Sequence, residues 1–220
     1  MSCEESKMAD AGRKVTSRIP VEEVVKQPPP GLAIPSSIKF SPDDRLITYL
    51  FSPEGGLAQQ LFAFDPQTGE ASLLVAPAEG GTTEETVSPE EELRRERQRQ
   101  RTLGISQYIW ANKENRLMIP MRGGIYLQDE PGAPLRELIA SGDKPALDPQ
   151  FSPDDRWVAY VQDAEIYIIP VEGGEPKQVT SGARGTGRTH GLAEYIAQEE
   201  MGRMRGYWWS QDSKNIAFTD

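Results

Sequence analysis

Short apolar runs recur from about residue 36 to the last residues, each bounded by Gly, Pro, Asp or Asn. Leu46-Ile47-Thr48-Tyr49-Leu50 and Trp157-Val158-Ala159-Tyr160-Val161 have the length and the β-branched and aromatic content of strands. Second runs follow these two and the similar Arg116-Leu117-Met118-Ile119: Leu61-Phe62-Ala63-Phe64, Gly124-Ile125-Tyr126-Leu127 and Glu165-Ile166-Tyr167-Ile168-Ile169. Turn residues and a third run come next, as in Gln67-Thr68-Gly69-Glu70 before Ala71-Ser72-Leu73-Leu74-Val75, and Glu172-Gly173-Gly174 before Lys177-Gln178-Val179-Thr180.

The runs are organised by a repeated phrase. Phe40-Ser41-Pro42-Asp43-Asp44-Arg45 returns as Phe151-Ser152-Pro153-Asp154-Asp155-Arg156. Looser copies are Trp110-Ala111-Asn112-Lys113-Glu114-Asn115 and Trp209-Ser210-Gln211-Asp212-Ser213-Lys214. Each is an aromatic, a turn and then an apolar strand. A serial antiparallel unit of about 40 to 50 residues is the signature of propeller blades, whereas a sandwich or barrel gives no reason for one phrase to recur. The expected fold is therefore all-β: a partial β-propeller of about three blades. Closed propellers need roughly four to eight blades, so the chain reads as the truncated amino-terminal portion of such a domain.

Two stretches depart from this rhythm. Residues 1–35 are polar, end near Pro28-Pro29-Pro30 and read as a flexible leader. Around 88–101, Ser88 as N-cap, Pro89 at the first helical position, Glu90, Glu91 and Glu92 in the first turn and arginines in the last predict a helix. It is charged nearly all round and so is not a core helix. Residues 36–220 are otherwise assigned to the propeller.

Net charge narrows the partners. With 34 acidic and 24 basic residues the chain carries −10, which argues against nucleic acid or an anionic membrane surface. The single cysteine, Cys3, rules out an internal disulfide. No apolar leader or spanning segment is present, so a cytoplasmic protein is expected. There is no Cys/His cluster for a metal and no phosphate-cradling loop, hence no expected cofactor.

Candidate chemistry lies between about 190 and 206, where an insertion lengthens the third repeat. Glu199 and Glu200 stand side by side among apolar neighbours. Successive helical positions point about 100° apart, so both carboxylates can converge on one cation only at the end or bend of a short helix. Placed so, they suit an ammonium, which offers three donors. Spacing alone equally allows a solvated acidic turn with Arg203 and Arg205 as counter-ions.

The stretch Gly191-Leu192-Ala193-Glu194-Tyr195-Ile196-Ala197-Gln198-Glu199-Glu200 through Gly206-Tyr207-Trp208-Trp209 resembles the GVA(E/T)FVxQEExxRxxGYWW segment of the dipeptidyl peptidase IV family, above all its cytosolic 8 and 9 branch and bacterial relatives. The resemblance implies that Glu199 and Glu200 bind the free amino group of a peptide substrate; Glu194 is not their equivalent. Glu91-Glu92-Leu93-Arg94-Arg95-Glu96-Arg97-Gln98-Arg99 resembles the EELLRERKR segment of the same branch, where an arginine contacts the substrate backbone. Alignment favours Arg99, with Arg97 the alternate.

What the family supplies from a C-terminal α/β-hydrolase domain, the Ser, Asp and His of its triad, is not found here. No G-x-S-x-G elbow occurs, Ser41 and Ser152 are turn residues, and the one histidine, His190, reads as a surface residue of a flexible loop. No catalytic residue is therefore assigned, and the chain alone is expected to be inactive. The implied function is the propeller segment of a serine exopeptidase that anchors peptides by their free amino termini. Its partners would be such peptides and the missing hydrolase domain, and a homodimer of the longer protein is compatible with the resemblance. The alternative is a non-catalytic propeller, either a protein-interaction module or a peptide binder lacking a hydrolase.

Overall fold

The computed structural model describes residues 19–25, 34–77, 89–97 and 102–220. Its strands form antiparallel meanders, pairing in chain order within each blade. The first blade is β1 (Ser36–Phe40), β2 (Ile47–Phe51), β3 (Ala58–Asp65) and β4 (Glu70–Val75), with β5 (Leu103–Gly104) adding in parallel to the start of β3. The second is β6 (Ile109–Trp110), β7 (Leu117–Met121), β8 (Gly124–Gln128) and β9 (Arg136–Ile139). The third is β10 (Leu147–Phe151), β11 (Trp157–Gln162), β12 (Glu165–Pro170) and β13 (Lys177–Gln178); β14 (Tyr207–Trp209) and β15 (Ile216–Phe218) begin a fourth. The partial propeller expected from the repeat is what forms.

Packing explains why both faces of the middle strands are apolar. On β11, Val158 and Tyr160 join Met118, Ile125 and Leu127 of the second blade in one core cluster. Ala159 and Val161, pointing the other way, join Ile166 and Tyr207 in the cluster between third and fourth blades. Leu50, Leu61 and Val75 meet Leu117, Ile119 and Met121 between first and second. A strand alternates faces at every residue, so a blade clamped between two others needs an unbroken apolar run rather than an alternating one.

The repeated phrase is a closed turn. Ser41 Oγ donates to Asp43 Oδ1 at 2.6 Å and accepts from Leu46 N at 2.9 Å, while Asp44 takes φ +58°. Ser152, Asp154 and Trp157 repeat this at 2.6 and 3.0 Å with Asp155 at φ +59°. Ser210, Asp212 and Asn215 repeat it at 2.6 and 2.9 Å with Ser213 at +60°. The serine hydroxyl is the main reason that the Asp43, Asp154 and Asp212 carboxyls titrate below their ordinary range. The second copy lacks the serine, and the buried Asp155 of the next blade replaces it, accepting from Asn112 N at 2.8 Å and Lys113 N at 2.7 Å.

A second repeat links the blades. Tyr108, two residues before Trp110, places its hydroxyl 2.6 Å from Ser37 O and 2.9 Å from Thr48 O in the first blade. Tyr207, two residues before Trp209, does the same to Asp148 O at 2.6 Å and Ala159 O at 2.8 Å in the third. Ser37 and Asp148 each sit at a bulge in the first strand of their blade, with φ +52° and +47°. Burial pushes the Tyr108 phenol up to about 12, against a smaller pull from Thr48, which keeps it a neutral donor.

Helix α1 (Val21–Val24) is a single turn in the stretch read as a leader. Helix α2 (Pro89–Arg97) starts at Pro89 as the sequence predicts; Ser88 and residues 98–101 lie outside the described residues. It exposes Leu93 and buries Arg95, whose Nη2 donates to Thr102 O while Nη1 is buried without a hydrogen-bond partner among the described residues.

Candidate functional site

The insertion is pinched at its base by two glycines. Gly191 takes φ +84° and donates to Thr219 O at 3.0 Å, and Thr219 N donates to Gly206 O at 2.8 Å. A Cβ on Gly206 would overlap the Gly191 and Leu192 backbone, and one on Gly191 would meet Ile166 Cγ1 at 2.7 Å. Only glycine lets the two arms approach this closely. A lone bridge, Leu192 to Arg205, continues the closure one residue outward.

Between these arms lies α3 (Tyr195–Glu199). Glu194 caps it, accepting from Ile196 N and Ala197 N at 2.7 Å each, so this acid, kept apart from the pair in the sequence reading, has a structural task. Ala197 is buried and fixes the helix rotation. Gln198 Nε2 donates to Ala193 O at 2.5 Å. Glu199 is the last helical residue and Glu200 the C-cap, its N–H bonded to Ile196 O at 2.9 Å. The structure thus brings the pair to a helix end. Both side chains are exposed, and neither makes a hydrogen bond or ion pair with any described residue.

Arg203 and Arg205 do not neutralise them. Arg203 Nη1 donates to Arg205 O at 2.7 Å, and its guanidinium lies 5.9 Å from the Trp208 ring centroid. Arg205 approaches the first blade: burial, and after it the Arg205 charge, lower the pKa of Lys39. Lys39 Nζ donates to Tyr108 O at 2.7 Å and lies 4.7 Å from that ring's centroid. Helix α2 reaches the insertion, with the Arg97 guanidinium 5.2 Å from the centroid of the Tyr195 ring. Arg99, the favoured arginine, lies outside the described residues.

His190 corrects an expectation. It is not a surface residue of a loose loop: its side chain is only 13 % exposed, with Nδ1 2.9 Å from Glu165 Oε2 and Nε2 3.6 Å from Asp220 Oδ1. Glu165 is buried and also accepts from Thr180 Oγ1 and Ala183 N at 2.7 Å each and from Arg184 N at 3.3 Å. Burial pushes its carboxyl up, but the bonds from Thr180, Ala183, His190 and Arg184 outweigh it and hold it at about 2. No hydroxyl among the described residues hydrogen-bonds His190, so this is a latch under the insertion rather than part of a nucleophilic triad. Sequence reasoning missed it because Glu165, Thr180 and His190 are far apart in the chain and join only through the β12–β13 meander. Ser41 and Ser152 use their hydroxyls within their turns, as expected.

Residues 105–220 match the sequence model of the dipeptidyl peptidase IV (DPP IV) N-terminal region. The chain belongs to this family. Dipeptidyl peptidase 8 of Homo sapiens is 31% identical over 137 residues, covering 56% of this chain and 15% of the relative, and the Mus musculus protein matches with the same figures. The chain thus spans about 15% of the length of these curated relatives. The fold is similar to the crystal structure of Porphyromonas gingivalis dipeptidyl peptidase 4, with a TM-score of 0.55 at 20% identity over 85% of this chain and 25% of that one. Among the described residues no helix is long and apolar enough to cross a membrane.

Proposed function

We propose that this DPP IV N-terminal region anchors the free amino terminus of peptide substrates through Glu199 and Glu200, as part of a serine exopeptidase that removes N-terminal dipeptides. The observation that carries the reading is a pair of adjacent, exposed carboxylates without a described counter-ion, at the end of a capped helix on a loop closed at its base. Two carboxylates satisfy more of an ammonium's three donors than one can. The helix carboxyl end adds a partial negative charge in the same place. Arg99, or Arg97 from its position over Tyr195, would hold a backbone carbonyl through its planar fork of donors. Fixing the amino end sets the scissile bond two residues away, so binding at the propeller becomes positional accuracy at a nucleophile supplied by an α/β-hydrolase domain. A cytoplasmic setting and a homodimer of the longer protein go with this reading.

The test uses the full-length gene product and Gly-Pro and Ala-Pro chromogenic substrates beside their N-acetylated forms. Cleavage should require the free amino group and fall at least about a hundredfold in Glu199→Gln and Glu200→Gln, since an ion pair at a binding site is costly to break. Equal cleavage of blocked substrates, or variants as active as the parent, would refute the anchor.

A further inference from the structure

The exposed face of α3 carries more than two acids. Ile196 is 59% exposed, although Ala197 beside it is fully buried. At about 100° and 1.5 Å per residue, Ile196 lies ~60° to one side of Glu199 and ~40° to the other side of Glu200, roughly 5 Å nearer the helix start. It therefore sits within the arc between the two carboxylates, one turn below them, and its own carbonyl receives the Glu200 N–H at 2.9 Å. Tyr195, the other exposed apolar side chain of the helix, has Arg97 over its ring. Among the described residues, Ile196 belongs to no core cluster.

We propose that Ile196 is the apolar floor for the first side chain of the bound peptide, and that it makes the site prefer amino-terminal residues with a branched aliphatic side chain over glycine or an acid. The inference rests on the anchor reading above, since an ammonium shared by Glu199 and Glu200 must lie over the arc that Ile196 occupies. The side chain of that first residue starts from the carbon bearing the ammonium. The methyl carbons of a leucine lie about 4–5 Å from its own amino nitrogen by standard bond geometry, which is the rise of one helical turn. A leucine can thus cover Ile196 while its ammonium stays on the pair. Glycine leaves Ile196 wet, and an aspartate would bring a third carboxylate to the pair.

The experiment is titration calorimetry on the full-length protein with three probes, Leu-Pro, Gly-Pro and N-acetyl-Leu-Pro. Leu-Pro should bind about tenfold more tightly than Gly-Pro, the scale set by burying a few methyl and methylene groups on a half-open surface. Ile196→Ser should bring that ratio to within about twofold, and Ile196→Leu should restore it. An undiminished ratio in Ile196→Ser overturns the proposal. A fall in thermal stability with the ratio unchanged overturns it as well, because Ile196 is then covered by the rest of the protein rather than by peptide. The acetylated probe reports separately on the glutamates: binding as tight as that of Leu-Pro would mean that the anchor reading itself has failed.

Discussion

Replacing Glu165 by glutamine tests how the insertion is held to the third blade. The carboxylate gathers Thr180, Ala183, Arg184 and His190, so it fixes the chain from the end of β13 up to Gly191, where the insertion begins. Glutamine keeps one acceptor oxygen for Ala183 N but turns donor hydrogens toward Thr180 Oγ1. That hydroxyl already accepts from Ile166 N at 2.9 Å. The charge-assisted bond from Thr180 is lost, its hydroxyl hydrogen must turn away from the amide, and the other donors meet a neutral group in place of a carboxylate, a loss of about 3 kcal/mol. The sign of the pH dependence follows from the carboxyl being held at about 2, below its ordinary value of 4.5. The stabilisation is complete above about pH 4.5 and is lost progressively as pH falls toward 2, because the unfolded chain takes up the proton first. Urea unfolding followed by the fluorescence of Trp208 and Trp209, which lie on β14 beside the insertion, should show the variant less stable at pH 7. The gap to the parent should narrow at pH 3. Equal stability at pH 7, or a gap of the same size at both values, would refute the latch.

Two further variants probe the frame around the site. Tyr207→Phe removes a buried hydroxyl from Asp148 O and Ala159 O and should lower stability by about 1–3 kcal/mol, with Tyr108→Phe acting alike between the first two blades; thermal unfolding measures both. Gly206→Ala places a methyl group against the Gly191 and Leu192 backbone, so the melting temperature should fall and amino-end discrimination should weaken together.

The blades were legible because their signal is local and repeated. Ser41-Pro42-Asp43-Asp44 closes its turn from within, so sequence alone states it, and the apolar run at Trp157–Val161 announces a strand covered on both faces. Pro89 marked its helix start for the same reason. What stayed hidden depends on contacts between blades. The Tyr-x-Trp pairs at Tyr108 and Tyr207 were visible as text, but their meaning lies in carbonyls some 60 residues upstream. Arg95 reversed the rule that a charged side chain faces water, since its guanidinium closes onto Thr102 O while Leu93 is left outside. The position of Glu199 and Glu200 at a helix end was an allowed geometry among others until Glu194 and Ala197 fixed where α3 starts and how it is turned.

The run from Gly206 to Trp209 couples the insertion that carries Glu199 and Glu200 to the blades. Gly206 closes the insertion, Tyr207 bonds the third blade, and Trp209 packs in the core between third and fourth blades, all within four consecutive residues. The place of the glutamates is therefore set by blade-to-blade packing together with the Glu194 cap and the buried Ala197, because α3 is too short to be stable by itself. Rigid-body placement of this kind is what an anchor needs if a small displacement at one end is not to become a misplaced bond at the other. If the pair is the proposed anchor, substitutions in the blade core, at Tyr207 or Val161, should alter amino-end binding without touching a peptide. Such effects should scale with their cost in stability, whereas those of Glu199 and Glu200 should not.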